Sequence, residues 1–326
     1  MSVKKTTLAG GLVLLLLAIM VAVSSCAGTT DEASKKKNVA LIVKMKHGDY
    51  WKTVKMAAEV AAKEFDVNLN FYAPDYEEDI VGQVELIKQA IQDGTDAIVL
   101  APSDPMALEA ASQAQIGKTI PLIMIDSEME SSKVKSFIGT DQYDSGVKAG
   151  ERLAQLVGEP SKVAILSYVT KAGNAEQREK GLLEALGGHP EVTIVAKEYM
   201  ASDKQLATDL TRQLLDAHPD LAGIAALNAT LTLGAAEEIE RRGLTGKVRI
   251  VAIDSPSEVL SYIQEGVIQA TITQKPFTMG YLGVKHAVES LRGMQVPARV
   301  DTGAKVIDLE NMFWSENQKL LFPFVK

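Results

Sequence analysis

Asp254 and Gln274 stand at the ends of two apolar runs joined by one helical stretch, VRIVAIDSPSEVLSYIQEGVIQATITQKP. Val248 to Ile253 reads as a buried strand, Ser255 to Ser257 offer N-caps, Val259 to Ile263 have helical spacing, and Val267 to Thr273 alternates up to Gln274. In an open parallel sheet, ligands bind beyond the carboxyl ends of the strands. A carboxylate after one strand and an amide after the next are therefore candidate ligand contacts. The alternative use of Asp254 is to cap the helix that follows it. A second Ile-Asp-Ser tripeptide occurs in PLIMIDSE, Pro121 to Glu128, where Asp126 ends another apolar run. Lys44 directly follows the run Val39 to Val43, Tyr50 and Trp51 lie where the first helix begins, Arg178 follows Asn174-Ala175-Glu176-Gln177, and Asn228 ends AGIAALN. Carboxylates, amides and Arg satisfy hydroxyl groups, and aromatic faces stack on the C–H faces of a sugar ring. Each residue also has a plainer use: core packing for the two aromatics, an exposed salt bridge for Arg178, a turn for Asn228. Tyr50 and Trp51 sit at a strand-to-helix turn and off the apolar stripe of the helix, which favours the site.

Catalytic chemistry finds no support. The four histidines, His47, His189, His218 and His286, are scattered without metal-ligand spacing, and no Gly-x-Ser-x-Gly elbow is present. Neither a Gly-x-Gly-x-x-Gly nor a Gly-x-x-x-x-Gly-Lys-Ser/Thr loop follows a strand, so the phosphate cradle of a nucleotide site is missing. No cofactor or metal is expected. A formal charge of -8 and a pI of about 5.2 argue against a nucleic-acid partner.

The elements that must position these residues alternate along the chain. Strands are expected at Val39 to Val43, Val67 to Tyr72, Ala97 to Leu100, Leu122 to Ile125 and Phe137 to Gly139, with helices at Trp51 to Phe65, Ile80 to Gln92 and Met106 to Ile116. A second series follows, with helices at Gly146 to Val157, Ala175 to Leu186, Gln205 to Ala217 and Thr232 to Arg242. Its strands are Val163 to Leu166, Val192 to Val195, Ala222 to Ala226 and the Val248 to Thr273 unit. Helix Met279 to Arg292 and short strands near Arg299 to Leu309 close the chain. The fold class is α/β, with nearly 290 residues of body suiting two lobes better than one core. Two lobes facing each other would bring Asp126 and Asp254 to one cleft.

Ahead of the body, Lys4 and Lys5 precede an apolar run from Leu8 to Val23 and then Ser24-Ser25-Cys26. This reads as an export signal, and the run is shorter than the roughly 20 residues of a spanning helix. Cys26 is the only cysteine, so it can form no internal disulfide. Its setting resembles the bacterial lipobox, which implies cleavage before Cys26 and lipid on its thiol. AGTTDEASKKK, residues 27–37, is then a flexible tether.

The body resembles the ribose-type periplasmic binding proteins, sugar-binding members of the type I solute-binding proteins that serve ABC transporters. The resemblance runs from Asn38 to about Asp308 and rests on VALIVKMKHGDYWKTVKMAAEVAAKEF, DAIVLAPSDPMALEAA, PLIMIDSE, FIGTDQYDSGVKAGERLA, AEQREKGLLEAL, LNATLTLGAAEEI and the Val248 to Pro276 unit. It implies two doubly wound parallel-sheet lobes joined by a three-crossing hinge near Thr140, Gln274 and Thr302. The segments would be 1–26 signal peptide, 27–37 tether, 38–140 plus 275–302 first lobe, and 141–274 plus 303–326 second lobe. It implies that Tyr50 and Trp51 are sugar-stacking aromatics, Asp126 the first-lobe acid, Arg178 the arginine of a second-lobe helix, and Asn228, Asp254 and Gln274 the remaining polar contacts. Three positions depart from the pattern. Ser127 follows Asp126 where arginine is common in aldose binders, Ala101 stands where asparagine is frequent, and Lys44 replaces a small polar residue. Lys44 and the Gly82 to Ile87 helix are similar to binding proteins for autoinducer-2. Lys44 and Ser127 join the candidate contacts, with Lys44 either pairing with Asp126 or donating to a ligand oxygen. A monosaccharide or polyol is the first expectation for the ligand and autoinducer-2 the second. Permease subunits and a lipid-anchored membrane position are implied, for a monomer. Repressors of the lactose type share such a body but carry a helix-turn-helix where this chain has an export signal. An exported hydrolase would need a nucleophile and a base, and none is arranged here.

Overall fold

Alternation of side chains along each strand is what builds this chain into layers. The computed structural model describes residues 35–104, 119–128, 131–168 and 173–323, and the described residues from Lys37 onward belong to one compact unit. The export signal, Cys26 and the helix expected over 106–116 lie outside the described residues. In β1 (Asn38–Ile42), Val39 and Leu41 join an apolar cluster with Trp51, Val54 and Met279, while Ala40 and Ile42 join another with Ile87 and Ala90. Both faces are therefore apolar, as a parallel sheet covered by helices on each side requires. Helices α1 (Asp49–Glu64) and α8 (Pro276–Leu291) cover one face, and α2 (Ile80–Gln92) covers the other.

Strands β2 (Asn68–Tyr72), β3 (Ala97–Leu100), β4 (Leu122–Ile125), β5 (Val134–Gly139) and β11 (Arg299–Asp301) complete the first sheet. Its order is β11-β5-β4-β3-β1-β2, and every pairing is parallel. The second sheet contains β6 (Ser161–Tyr168), β7 (Val192–Met200), β8 (Leu221–Ala226), β9 (Arg249–Ile253), β10 (Ala270–Thr273) and β12 (Lys305–Asp308). Its order is β12-β10-β9-β8-β6-β7, parallel except for β12 against β10. Helices α3 (Gln142–Val157), α4 (Gly173–Gly187), α5 (Lys204–Ala217), α6 (Ala229–Arg241) and α7 (Ser257–Gln264) alternate with these strands. The fold is thus two doubly wound α/β lobes. Because β11 returns to the first sheet and β12 to the second, the chain passes between the sheets three times, after β5, after β10 and after β11.

The crossings are tied to one another by hydrogen bonds. Thr140 Oγ1 lies 3.3 Å from Thr302 Oγ1, Gln142 Nε2 donates to Gln274 Oε1 at 2.9 Å, and Asp301 Oδ1 accepts from the backbone N–H of Asp141 and of Gly303. Several elements extend past their expected bounds, among them α3, which starts at Gln142, and β7, which runs on to Met200, and two further elements depart from the sequence expectation. The strand expected from Val267 starts only at Ala270, because Val267 and Ile268 donate their N–H groups back to Tyr262 and wrap the end of α7. A helix the sequence pattern does not announce, α9 (Ser315–Leu321), follows β12. Seven residues are too few to show helical periodicity, and buried Asn317 fixes this turn by donating to Asn311 O at 2.9 Å.

The contact between α3 and α4 sets where Arg178 stands. A Cβ on Gly146 would overlap the carbonyl oxygen of Arg178, and one on Gly181 would overlap that of Tyr143, so the helices meet backbone to backbone. Gly146→Val is expected to lower the unfolding free energy by about 1–3 kcal/mol through overpacking, read from the urea midpoint. A variant with the parent midpoint would show that the helices are not held this closely.

Candidate ligand-binding cleft

Because the strands of each sheet run parallel, β12 apart, their carboxyl ends share one edge, and the polar residues that follow them collect there. In the first lobe, Lys44 follows β1 and Asp126 follows β4. Lys44 is only 1 % exposed, with Nζ 3.0 Å from Asp126 Oδ2 and 3.3 Å from Glu77 Oε1. Burial disfavours the ammonium, yet Asp126 and then Glu77 outweigh it and hold the Lys44 pKa above the ordinary lysine value. Burial likewise works against the Asp126 carboxylate, and Lys44 more than offsets it, leaving Asp126 below the usual carboxylate range. Glu77, where burial wins over Lys44, is pushed up. Tyr50 donates its hydroxyl to Asp126 Oδ1 at 2.8 Å and Ser127 donates to Oδ2 at 3.1 Å. Trp51 packs edge-on to Tyr50 with ring centroids 5.0 Å apart and, contrary to the expectation that it stands off the apolar stripe, is buried on the core face of α1 with Val54 and Ala58.

In the second lobe, the ends of β6, β8, β9 and β10 present a relay of polar groups. Arg178 on α4 is buried. It donates from Nε to Gln142 Oε1 at 2.8 Å and from one terminal nitrogen to Tyr168 Oη at 3.0 Å and Leu227 O at 2.8 Å. Gln142 passes its own N–H to Gln274 Oε1, and Gln274 Nε2 donates to Asp254 Oδ1 at 2.6 Å. Burial pushes the Asp254 carboxyl above its ordinary value, and the Arg178 charge only partly opposes it.

The aspartate of the repeated Ile-Asp-Ser has a positive φ in both lobes. Asp126 (φ 64) and Asp254 (φ 74) are left-handed, a region Asp enters more readily than most residues but at a cost. Each donates its backbone N–H to the neighbouring strand, Asp126 to Ile138 O at 3.1 Å and Asp254 to Ile272 O at 3.0 Å. Asp254 does not cap α7, whose N-cap residue is Pro256 without a side-chain cap. Asn228 does cap: its Oδ1 accepts from the N–H of Leu231 at 2.9 Å, and its Nδ2 donates to Ser202 Oγ.

Lys44, Tyr50, Trp51, Asp126, Arg178, Asn228, Asp254 and Gln274 all line one cleft of about 780 Å³. Ser127 stands behind Asp126, buried and bonded to it. Glu77, Tyr168 and Asn174 line the same cleft without having been expected there, and Gln142 is the buried link of the relay. Glu77 sits in the acidic run Tyr76-Glu77-Glu78-Asp79, which reads as a solvated turn. Tyr168 ends a strand, the one signal that would have singled it out.

A family model described as "Periplasmic binding protein domain" matches residues 39–295. The chain belongs to the periplasmic binding protein family. Within its ribose-type members, this periplasmic binding protein is 25% identical over 272 residues to the ribose import binding protein of Bacillus subtilis (strain 168), covering 83% of this chain and 87% of that one. A solute binding protein from Agrobacterium vitis with bound D-fucose superposes with a TM-score of 0.84 at 30% identity, over 87% of this chain and 99% of that one. A carbohydrate transporter solute binding protein from Agrobacterium radiobacter in complex with D-arabinose gives 0.83 at 28% identity, over 88% and 99%.

The raised pKa of Asp254 makes a pH-dependent prediction for this binding protein. A carboxyl that binds its proton more tightly when folded than unfolded costs stability above its folded pKa, and the cost is lost as the pH falls through that value towards 3.8. Asp254→Asn keeps an acceptor for Gln274, so it is expected to raise the melting temperature at pH 7, with the gain disappearing below pH 3.8. A gain that is absent at pH 7, or equally large at both ends, would contradict the burial cost.

Proposed function

We propose that this chain is the extracytoplasmic binding component of an ABC importer, closing two lobes around a neutral monosaccharide or polyol and presenting it to the permease. The observation that carries the reading is convergence: Asp126 with Tyr50 and Trp51 on one lobe faces Arg178, Asp254 and Gln274 of the other across a single cleft. Similarity to a ribose import binding protein and to proteins holding D-fucose and D-arabinose supports a sugar as the ligand. Neutrality follows from the charge inventory. Lys44 is taken up by Asp126 and Glu77, and Arg178 is offset by Asp254, so an anionic ligand would meet a cleft without spare positive charge. The lobes are 38–140 plus 275–302 and 141–274 plus 303–326, with Ser127 acting through Asp126. The chain works as a monomeric receptor and turns nothing over.

Autoinducer-2 is the second reading, favoured by Lys44 after the first strand. A thermal-shift screen of pentoses, hexoses, polyols and autoinducer-2 separates the two, since a ligand that binds the native state raises the melting temperature by mass action. A pentose, hexose or polyol is expected to shift it. Asp254→Ala and Arg178→Ala are then expected to weaken that ligand roughly ten- to a hundredfold, the range for removing a charged hydrogen-bond partner. A screen in which no sugar or polyol shifts the melting temperature overturns the reading.

Anchoring belongs to the same proposal. Lipid on Cys26 plus the 27–37 tether would hold the receptor at the outer face of the cytoplasmic membrane, raising its local concentration beside the transporter. Cys26→Ala is expected to move the protein from the membrane to the soluble fraction on cell fractionation, and continued membrane retention would contradict the anchor.

A further inference from the structure

Among the described residues, two contacts join the lobes away from the crossings and the polar relay, and each sets a first-lobe carboxylate against a second-lobe backbone N–H. Asp49 Oδ2 accepts from Ser257 Oγ at 2.9 Å and from the Ser257 N–H at 3.3 Å. Glu78 Oε1 accepts from the Ser202 N–H at 2.9 Å. Asp49 opens α1 and Glu78 precedes α2, whereas Ser202 precedes α5 and Ser257 is the first residue of α7. Helices leave their first N–H groups without intrahelical partners, and a carboxylate there is favoured by the helix dipole. Neighbouring α5 and α6 use their own Asp203 and Asn228 as caps. Helix α7 begins after Pro256 and has no side-chain cap of its own. The carboxylate that meets its N-terminus comes from the other lobe.

The two contacts stand apart. In the second sheet, β7 leads to Ser202 and β9 to Ser257, and between them run β6 and β8, which carry Tyr168 and lead to Leu227. The hydrogen bonds of Arg178 therefore fall between the two contacts in the strand order. We propose that Asp49, which lines the cleft, and Glu78, which stands outside its lining, are positioning residues, paired latches that stabilise the closed lobes and so set ligand affinity. The proposal rests on the lobe-closing reading above and assigns the groups that regulate it. A contact made only in the closed form raises the closed population, and apparent affinity scales with that population.

The first test is the apparent Kd of the full chain for D-ribose, D-arabinose and D-fucose. Asp49→Ala and Glu78→Ala are each expected to weaken binding about three- to tenfold, less than a buried charged hydrogen bond because both acids are exposed, and together by about the product. Asp49→Asn, which keeps an acceptor, should recover part of the loss. The second test needs no ligand. Cys26 is the only native cysteine, so Glu78→Cys with Ser202→Cys in the full chain reports closure through the rate of oxidative crosslinking. Adding Asp49→Ala is expected to slow that crosslink about three- to tenfold. Unchanged crosslinking and unchanged affinity, or no crosslink in the parent pair, would overturn the latch. If none of the three sugars binds the parent chain, the sugar reading fails, and the crosslinking rate alone decides the latch.

Discussion

Asp126 is the group on which the cleft depends. A buried ammonium and a buried carboxylate each lose several kcal/mol of hydration, and their attraction repays this only with good geometry and added hydrogen bonds. Lys44 at 3.0 Å, the Tyr50 hydroxyl and the Ser127 hydroxyl supply that geometry, so all three side chains are fixed by what Asp126 requires. Tyr50 in turn fixes the edge of Trp51. The first-lobe wall is therefore pre-organised before any ligand arrives, and Lys44 contributes its charge to the wall.

The second lobe is organised differently, and it shares its parts with the hinge. Gln274 lies at one crossing between lobes and also donates to Asp254, while Gln142, just past another crossing, bonds both Gln274 and Arg178. Rotation about the crossings must move this relay along with the wall it supports. Hinge and cleft wall are one hydrogen-bonded assembly.

Much of this was legible in the sequence because strand and helix periodicities are strong and their carboxyl ends must share an edge. The eight side chains expected from strand ends and helix starts do line one cleft, and the repeated Ile-Asp-Ser places a left-handed aspartate in each lobe. Asn228 shows the limit of such reading, since its amide oxygen is spent on a helix cap. The choice for Lys44 between pairing and donation was open because it turns on Glu77. That residue approaches from the loop after β2, and nothing in an acidic run announces an acid turned inward to a lysine. Helix α9 escaped because seven residues held by one buried asparagine leave no periodic trace. What the sequence withholds is the partner brought in from another segment.

The two aspartates of the repeated turn are driven in opposite directions, and this divides their work. Asp126 is held below the usual carboxylate range by a cation in its own lobe, so it is an anion whose hydrogen-bonding capacity is largely committed. Asp254 is raised by burial, with Gln274 as its close donor and Arg178 acting only through its charge. A carboxylate short of donors in a partly buried site gains more from each new hydroxyl than one already saturated. A left-handed aspartate thus stands in both lobes, paired with a cation and two hydroxyls in the first and with the Gln274 amide in the second. The two walls of the cleft are therefore built on different interactions, a charge pair in one lobe and an amide donor in the other.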